Sequence, residues 1–435
     1  MLYFSTNKQS SPVTLKEAVI RGLAEDGGLY MPGSVPVLTQ TIISSMSRLS
    51  QTEIAFNVAH NFFKDDVPES VIEEIISDSL DFPVPLSRIE TDVYCMELFH
   101  GPTMAFKDVG ARFMSRLMAY LYRNESKELN VIVATSGDTG SAVAAGFYEV
   151  DGINVFVLYP EGKVSPLQKK QITTWGKNIH ALQVDGSFDD CQKLAKQIIG
   201  DRDMNSLFSL TSANSINIAR LIPQSFYYFY AFAELSDTGN RLVFSVPSGN
   251  FGNLTGGLIA KASGLPADRF IAATNINDVF PRFIQTGAYH PSPSKQTISN
   301  AMDVGDPSNF DRLNELMGHS IVNFRESISS FSFNDRDTSE AIKRVYDDTG
   351  YIMDPHGAVA YMGLKKYMAQ TESRFDGVFL ETAHPAKFPE TMGKIIDGFD
   401  ILPPQLQKVM LRDEKFTPIG NDLLELKTYI SKVNS

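Results

Sequence analysis

The lysine at position 107 stands between a phenylalanine and an aspartate in "HGPTMAFKDVG", residues 100–110, just after a glycine-proline pair and just before a helical pattern. A lysine is ordinarily a solvated surface charge, but at a turn, shielded from water, its amine sheds its proton more readily and becomes a nucleophile toward carbonyls. Three other segments carry polar groups in comparable places. "VIVATSGDTGSAVAAGF" supplies Thr135, Ser136, Asp138 and Thr139; "LFSLTSANSINIARLIPQ" supplies Asn214, Ser215 and Arg220; "LVFSVPSGNFGNLTGGLIA" supplies Gly249, Asn250, Phe251, Gly252 and Asn253. Each runs from an apolar stretch through small polar residues and glycine into a helical stretch. Any one of them alone reads as helix capping and turn chemistry.

The third loop is more specific. Gly249 and Gly252, followed by Gly256 and Gly257, leave backbone N–H groups open to a ligand at a helix N-terminus, where the dipole favours an anion. The spacing is neither the G-x-G-x-x-G dinucleotide pattern nor a Walker loop with its lysine. The seven histidines form no HExxH pair, and Cys95 and Cys191 have no metal-type spacing, which leaves no metal centre to expect and suggests two reduced, buried thiols. A turn lysine with a phosphate cradle, and no metal or nucleotide motif, points to a phosphorylated aldehyde held on the lysine: pyridoxal phosphate.

These loops need elements to position them. From Val93 onward, short β-branched runs alternate with helical ones: "VIVATSG", "INVFVLYP", "IHALQVDG", "LFSLTSA", "RLVFSVPSGN", "RFIAATNIN" and "GVFLETAHP". That alternation predicts parallel sheets with helices on both faces, and ligands beyond the carboxyl ends of the strands. The first ninety or so residues differ. In "TLKEAVIRGLAEDGGLY", Leu15, Val19 and Leu23 recur at four-residue spacing and Gly27 and Gly28 are expected to stop the helix. The expected fold is α/β: a mainly helical N-terminal domain over 1–92, a larger cofactor-binding α/β domain from 93–129 and 235–435, and a smaller one over 130–234.

Acidic residues outnumber basic ones, 51 to 39, for a formal charge of −12. Such a field repels nucleic acid and anionic membranes, so an anionic substrate must be met by local cations. With no run of about 18 apolar residues and no basic, apolar leader in "MLYFSTNKQSSP", a soluble, cytoplasmic protein is expected.

Seven blocks, "AVIRGLAEDGGLYMP", "FHGPTMAFKD", "ATSGDTGSAVA", "YPEGKVSPLQ", "NSINIARLIPQ", "VPSGNFGN" and "ETAHPAKF", together resemble the threonine synthase family, in its branch with an extra N-terminal domain, among the tryptophan-synthase-β-like (fold type II) pyridoxal-phosphate enzymes. The resemblance implies that Lys107 forms the Schiff base and then moves protons at the substrate carbons. It implies that the loop from Gly249 through Asn250, Phe251 and Gly252 to Asn253 holds the cofactor phosphate, and that Thr382 offers its hydroxyl to the ring nitrogen, although a threonine ending a strand also serves as a plain β-former. Asp138 aligns beside the cofactor's 3′-oxygen, where shorter relatives carry asparagine; helix capping is its other role. The implied substrate is O-phospho-L-homoserine. Lys163, Asn214, Ser215 and Arg220, with hydroxyls from Thr135 and Thr139, would take its phosphate, and Ser136 its α-carboxylate. The ordinary alternatives are a structural ion pair for Arg220 and a solvated loop charge for Lys163.

The implied reaction is γ-elimination of phosphate and hydration at the β-carbon to give L-threonine, the last step of threonine biosynthesis, in a monomer or homodimer. Two rivals share parts of this pattern. A serine or threonine dehydratase has the cofactor residues but no need of the Lys163, Asn214 and Arg220 cluster. A silent phospho-ligand-binding homologue has no need of Lys107.

Overall fold

All seven β-branched runs become strands, and they divide between two sheets. The computed structural model describes residues 1–434. The larger sheet has six strands in the order Ile328–Ser332, Ala267–Thr274, Arg241–Pro247, Phe375–Glu381, Val93–Glu97, Leu86–Glu90. The first five run parallel and the last is antiparallel. The smaller sheet has five parallel strands: Thr417–Ile419, Ile179–Val184, Ile153–Pro160, Leu129–Ala134, Ser209–Ser212. Ile153–Pro160 and Phe375–Glu381 are buried at every residue, as a parallel strand covered on both faces requires.

Sheet membership crosses the expected domain boundaries at both ends. Leu86–Glu90 lies ahead of residue 93 yet edges the larger sheet, and Thr417–Ile419, within the segment assigned to the larger domain, edges the smaller one. The helix after it, Leu423–Val433, joins the smaller sheet's own apolar cluster through Leu426 and Ile430. Short edge strands carry too few residues to register as a pattern.

The N-terminal region is mainly helical, with helices Leu15–Arg21, Gln40–Ser45, Gln51–Phe63 and Glu69–Ser79 beside a two-stranded antiparallel ribbon of Tyr3–Ser5 and Tyr30–Pro32. Thr14 and Glu17 cap the first helix reciprocally. That helix ends sooner than its periodicity predicts, because Gly22 adopts φ +70° and turns the chain before Gly27 and Gly28 are reached. Gly28 serves the ribbon instead: a Cβ there would lie 2.1 Å from Ser5 Oγ.

Helix Lys107–Tyr122 connects strand Val93–Glu97 of the larger sheet to strand Leu129–Ala134 of the smaller. Phe113 on it touches Phe63 of the N-terminal region and Phe226 of helix Phe226–Leu235, with ring centroids 5.5 and 5.7 Å apart, and the three units share one core. No helix among the described residues is long and apolar enough to cross a membrane.

Candidate active site

Lys107 opens its helix, and the turn before it is sewn to the loop that follows strand Phe375–Glu381. Phe106 N–H donates to Thr382 O at 2.9 Å, His384 N–H to Met104 O at 3.1 Å, and Ala105 bridges Ala383. Within the turn, the backbone N–H and hydroxyl of Thr103 both donate to buried Asp108, at 2.9 and 2.7 Å. A Cβ on Gly101 would lie 2.6 Å from that carboxylate, so the glycine before Pro102 is a requirement of close approach. The half-buried Lys107 side chain lies over the Phe106 ring, 5.3 Å from its centroid, and makes no hydrogen bond or ion pair among the described residues. Burial lowers its pKa; Asp138 opposes this, and the charges of Arg220 and Lys387 reinforce it.

Asp138 opens helix Asp138–Phe147. Gly137 before it takes φ +151°, and a Cβ there would strike the Gln168 amide at 2.5 Å. Asp138 Oδ1 accepts from Gln168 Nε2 at 3.1 Å and pairs with Lys387 Nζ at 2.8 Å. Burial alone would push this carboxyl up, but the charges of Lys387 and Lys107, with hydrogen bonds from Lys387 and Gln168, hold it well below the usual carboxylate range. Lys387 also donates to Thr103 O at 2.9 Å. Lys387 is a site residue that the sequence motifs do not single out. The signal available was its place in "ETAHPAKF", but nothing local distinguishes a buried lysine in a short 3₁₀ turn from a solvated one.

The glycines of the cradle divide into two kinds. At Gly249 a Cβ would come within 2.8 Å of Met302 Cα, at Gly256 within 2.9 Å of the Gln224 backbone, and at Gly257 within 2.5 Å of Phe270. These three are glycine for close packing, which corrects the expectation that Gly256 and Gly257 open the backbone to a ligand. Gly252, the first residue of helix Gly252–Ala262, has nothing nearer than 3.7 Å. Phe251 before it is left-handed at φ +58°. Asn253 Oδ1 accepts from the hydroxyls of Tyr227 and Tyr228, at 2.6 and 2.8 Å, while its Nδ2 is buried without a partner.

Asn250 joins this loop to the next. Its Nδ2 donates to Ser215 Oγ at 2.7 Å, and its Oδ1 accepts from Ser308 N–H at 2.6 Å. Asn214 Oδ1 and Arg220 Nε are both buried and unpaired. Arg220 is 4% exposed, and its side-chain hydrogen bond, Nη1 to Ala213 O at 2.7 Å, goes to a neutral carbonyl. Burial lowers its pKa to about 10, with Asp108 opposing, so it stays cationic at neutral pH. A buried guanidinium with a free Nε and no carboxylate in hydrogen-bond contact fits an anionic ligand.

The other expected residues lie around these loops in varied settings. The Thr135 hydroxyl accepts from Gly137 and Gly140 N–H, at 3.0 and 2.8 Å, and donates to Gly137 O, so it is taken up in shaping its own loop. Thr139 is half-buried and Ser136 exposed. Lys163 is exposed in the loop after strand Ile153–Pro160. Thr382 is buried, and its hydroxyl has no hydrogen-bond partner among the described residues. Unpaired Asn253 Nδ2 and Thr382 Oγ1, open room at Gly252, and a lysine amine without a partner together fit pyridoxal phosphate.

Comparison with known proteins agrees with this geometry. Residues 81–380 match the family described as pyridoxal-phosphate dependent enzyme, 2–80 match threonine synthase N terminus, and 357–430 match threonine synthase, C-terminal. The chain is 42% identical to the threonine synthase of Escherichia coli (strain K12) over 93% of its own length and 94% of the relative's, and 35% identical to that of Saccharomyces cerevisiae over 97% and 96%. The crystal structure of pyridoxal-phosphate-bound threonine synthase from Brucella melitensis superposes with a TM-score of 0.95 at 34% identity, covering 100% of this chain and 99% of that one.

Proposed function

Because the chain belongs to the threonine synthase family, we propose that it converts O-phospho-L-homoserine and water to L-threonine and phosphate. Backbone N–H groups of Gly249 to Asn253 would hold the cofactor phosphate, Thr382 Oγ1 would meet the ring nitrogen, and Asp138, by the family's pattern, would face the 3′-oxygen as a carboxylate balanced by Lys387. When bound, pyridoxal phosphate supplies an aldehyde that joins amines and a ring that takes up electron density from the substrate's α-carbon.

The chain's own groups do the rest. Lys107 Nζ, its proton affinity reduced by burial, takes the α-proton; a β-proton is then lost as the γ C–O bond breaks, a proton is delivered to the γ-carbon, and after water adds its hydroxyl at the β-carbon the α-carbon is reprotonated. Arg220, Asn214 and Ser215 hold the substrate phosphate, orienting the γ C–O bond for cleavage and stabilising the dianion as it leaves. By the family's pattern, Thr139 and Lys163 would add a hydroxyl and a second charge for the same phosphate, and Ser136 would take the α-carboxylate. Thr135 contributes by fixing the loop from Ser136 to Gly140. Cys95 and Cys191, both free and buried, suit a cytoplasmic enzyme, working as a monomer or homodimer.

The observation that carries this reading is the Asn250–Ser215 bond, which supports a single site built from the cofactor loop and the phosphate loop. Two measurements test it. Borohydride reduction followed by peptide mass spectrometry should find one pyridoxyl adduct, on Lys107. Turnover should release threonine and phosphate in equal amounts. An adduct on another lysine overturns the first assignment, and ammonia release from serine or threonine in place of phosphate release favours a dehydratase.

A further inference from the structure

Arg312, in helix Phe310–Leu316, is 0% exposed, yet every acceptor it has is neutral. Nε and Nη2 donate to Tyr30 O at 3.3 and 3.0 Å, Nη2 also to Ile216 O at 2.6 Å, and Nη1 to Ser215 O at 3.4 Å and Asn309 Oδ1 at 2.9 Å. No carboxylate among the described residues pairs with it. Burial draws its pKa down to about 9, which leaves it charged at neutral pH. An enclosed cation without a counter-ion is costly, and a chain with 51 acidic residues has no shortage of acids to place there.

The position of this charge is specific. Ser215 and Ile216, whose carbonyls it grips, follow Asn214 directly, so the guanidinium stands behind the loop that carries Asn214 and Ser215. Asn309, its fourth acceptor group, donates through Nδ2 to Asn250 O at 3.0 Å, and Asn250 in turn donates to Ser215 Oγ. Tyr30 belongs to the N-terminal ribbon. One side chain therefore ties the N-terminal unit, the cofactor loop and the phosphate loop together, and delivers a net positive charge at their junction.

We propose that Arg312 is a positioning residue for the substrate phosphate: it fixes the Asn214–Ser215 loop through its carbonyls and holds there a positive charge that is balanced only when a dianion occupies the loop. This rests on the reading that Asn214, Ser215 and Arg220 receive that phosphate. It adds a second buried cation to the site, acting through the loop backbone rather than by contact, and gives the N-terminal unit a part in substrate binding.

The test uses the holoenzyme carrying Arg312→Lys or Arg312→Met, with KM and kcat for O-phosphohomoserine, inhibition by inorganic phosphate, cofactor affinity and thermal unfolding all measured. In Arg312→Met, KM and the inhibition constant for phosphate should rise together by roughly 10-fold or more, kcat should fall by less, and cofactor affinity should stay within about threefold. Lysine keeps the charge but loses the fork, so Arg312→Lys should recover part of the phosphate effect. If melting drops in both variants while KM and phosphate inhibition hold at wild-type values, Arg312 is a structural clamp alone and the proposal fails. Should Arg312→Met not fold, Arg312→Lys decides: a joint rise in KM and in the phosphate constant supports the proposal, and their constancy overturns it. If the wild type neither uses O-phosphohomoserine nor responds to phosphate, the reading of the phosphate loop itself fails and takes this proposal with it.

Discussion

Lys387 Nζ lies 2.8 Å from Asp138 Oδ1, with both side chains buried. The pair sets the charge beside Lys107, since Asp138 raises the affinity of that amine for its proton and Lys387 lowers it. Removing one member of a buried pair leaves the other uncompensated, at a cost of about 3–5 kcal/mol. Lys387→Met should therefore lower the melting temperature. It should also move the pH midpoint of the Lys107-bound cofactor's absorbance upward, because the repelling charge is gone and Asp138 is left unopposed. The double variant Asp138→Asn with Lys387→Met should be more stable than Lys387→Met alone. An unmoved midpoint would reduce the pair to architecture.

The two glycines of the cradle should separate in their effects. Gly249→Ala puts a Cβ 2.8 Å from Met302 Cα and 2.9 Å from Ala301 O. Backbone must shift to admit it, so the cofactor-free protein should melt lower. Gly252→Ala meets nothing nearer than 3.7 Å and lies at a helix start, so the same protein should melt at the wild-type temperature or above. Its cofactor affinity should nonetheless fall at least ~10-fold, because the new methyl occupies the room through which backbone N–H groups meet a phosphate. Equal cofactor affinity in Gly252→Ala and wild type would remove that residue from the cradle.

Arg220→Ala should lower kcat/KM for O-phosphohomoserine at least ~10-fold, since a charge-assisted phosphate contact contributes roughly 1.5–3 kcal/mol. The absorbance of the Lys107-bound cofactor should not change, and inhibition by inorganic phosphate should weaken in parallel. Loss of cofactor instead would assign Arg220 to the cofactor.

Glu381 ends the strand before Thr382, buried, with its Oε1 accepting from Asp354 N–H. Burial, and then the charge of Asp354, raise its pKa well above the ordinary value. A carboxyl with a raised folded pKa favours the native state fully below its unfolded value of about 4.3, and that advantage drains away as pH climbs toward the folded value. Glu381→Gln keeps an acceptor and a donor without the titration. Melting curves should show the variant more stable than wild type at pH 8, with the gain shrinking toward pH 4; a gain independent of pH would mean that Glu381 is not protonated in the native state.

The strands and the loops that end them were legible because a buried parallel strand followed by glycine and a capped helix leaves a local mark at every repeat. Asn250 and Ser215 could both be nominated from their own loops, but the bond between them could not. Lys387 and Arg312 left no mark, since what sets them apart is enclosure by segments distant in the chain. Thr135 could be nominated from its loop but its bonds could not: a hydroxyl in a glycine-rich turn reads the same whether or not it also accepts, as here, from the N–H groups of Gly137 and Gly140. The early stop at Gly22 reflects competition between stop signals: Gly22 and Gly27 both take positive φ, and the first one reached ends the helix.

The strand Thr417–Ile419 completes the smaller sheet against Ile179–Val184, yet it is synthesised after every other strand of both sheets. Chain growth on the ribosome is vectorial, and domains fold as they emerge. Until residues 417–419 are made, Ile179–Val184 is an edge of that sheet, as Ser209–Ser212 is throughout, and its free N–H and C=O groups can pair with an extended segment. The last strand made therefore moves the edge of the smaller sheet from the six-residue Ile179–Val184 to a three-residue strand, which offers an incoming segment far fewer free backbone groups.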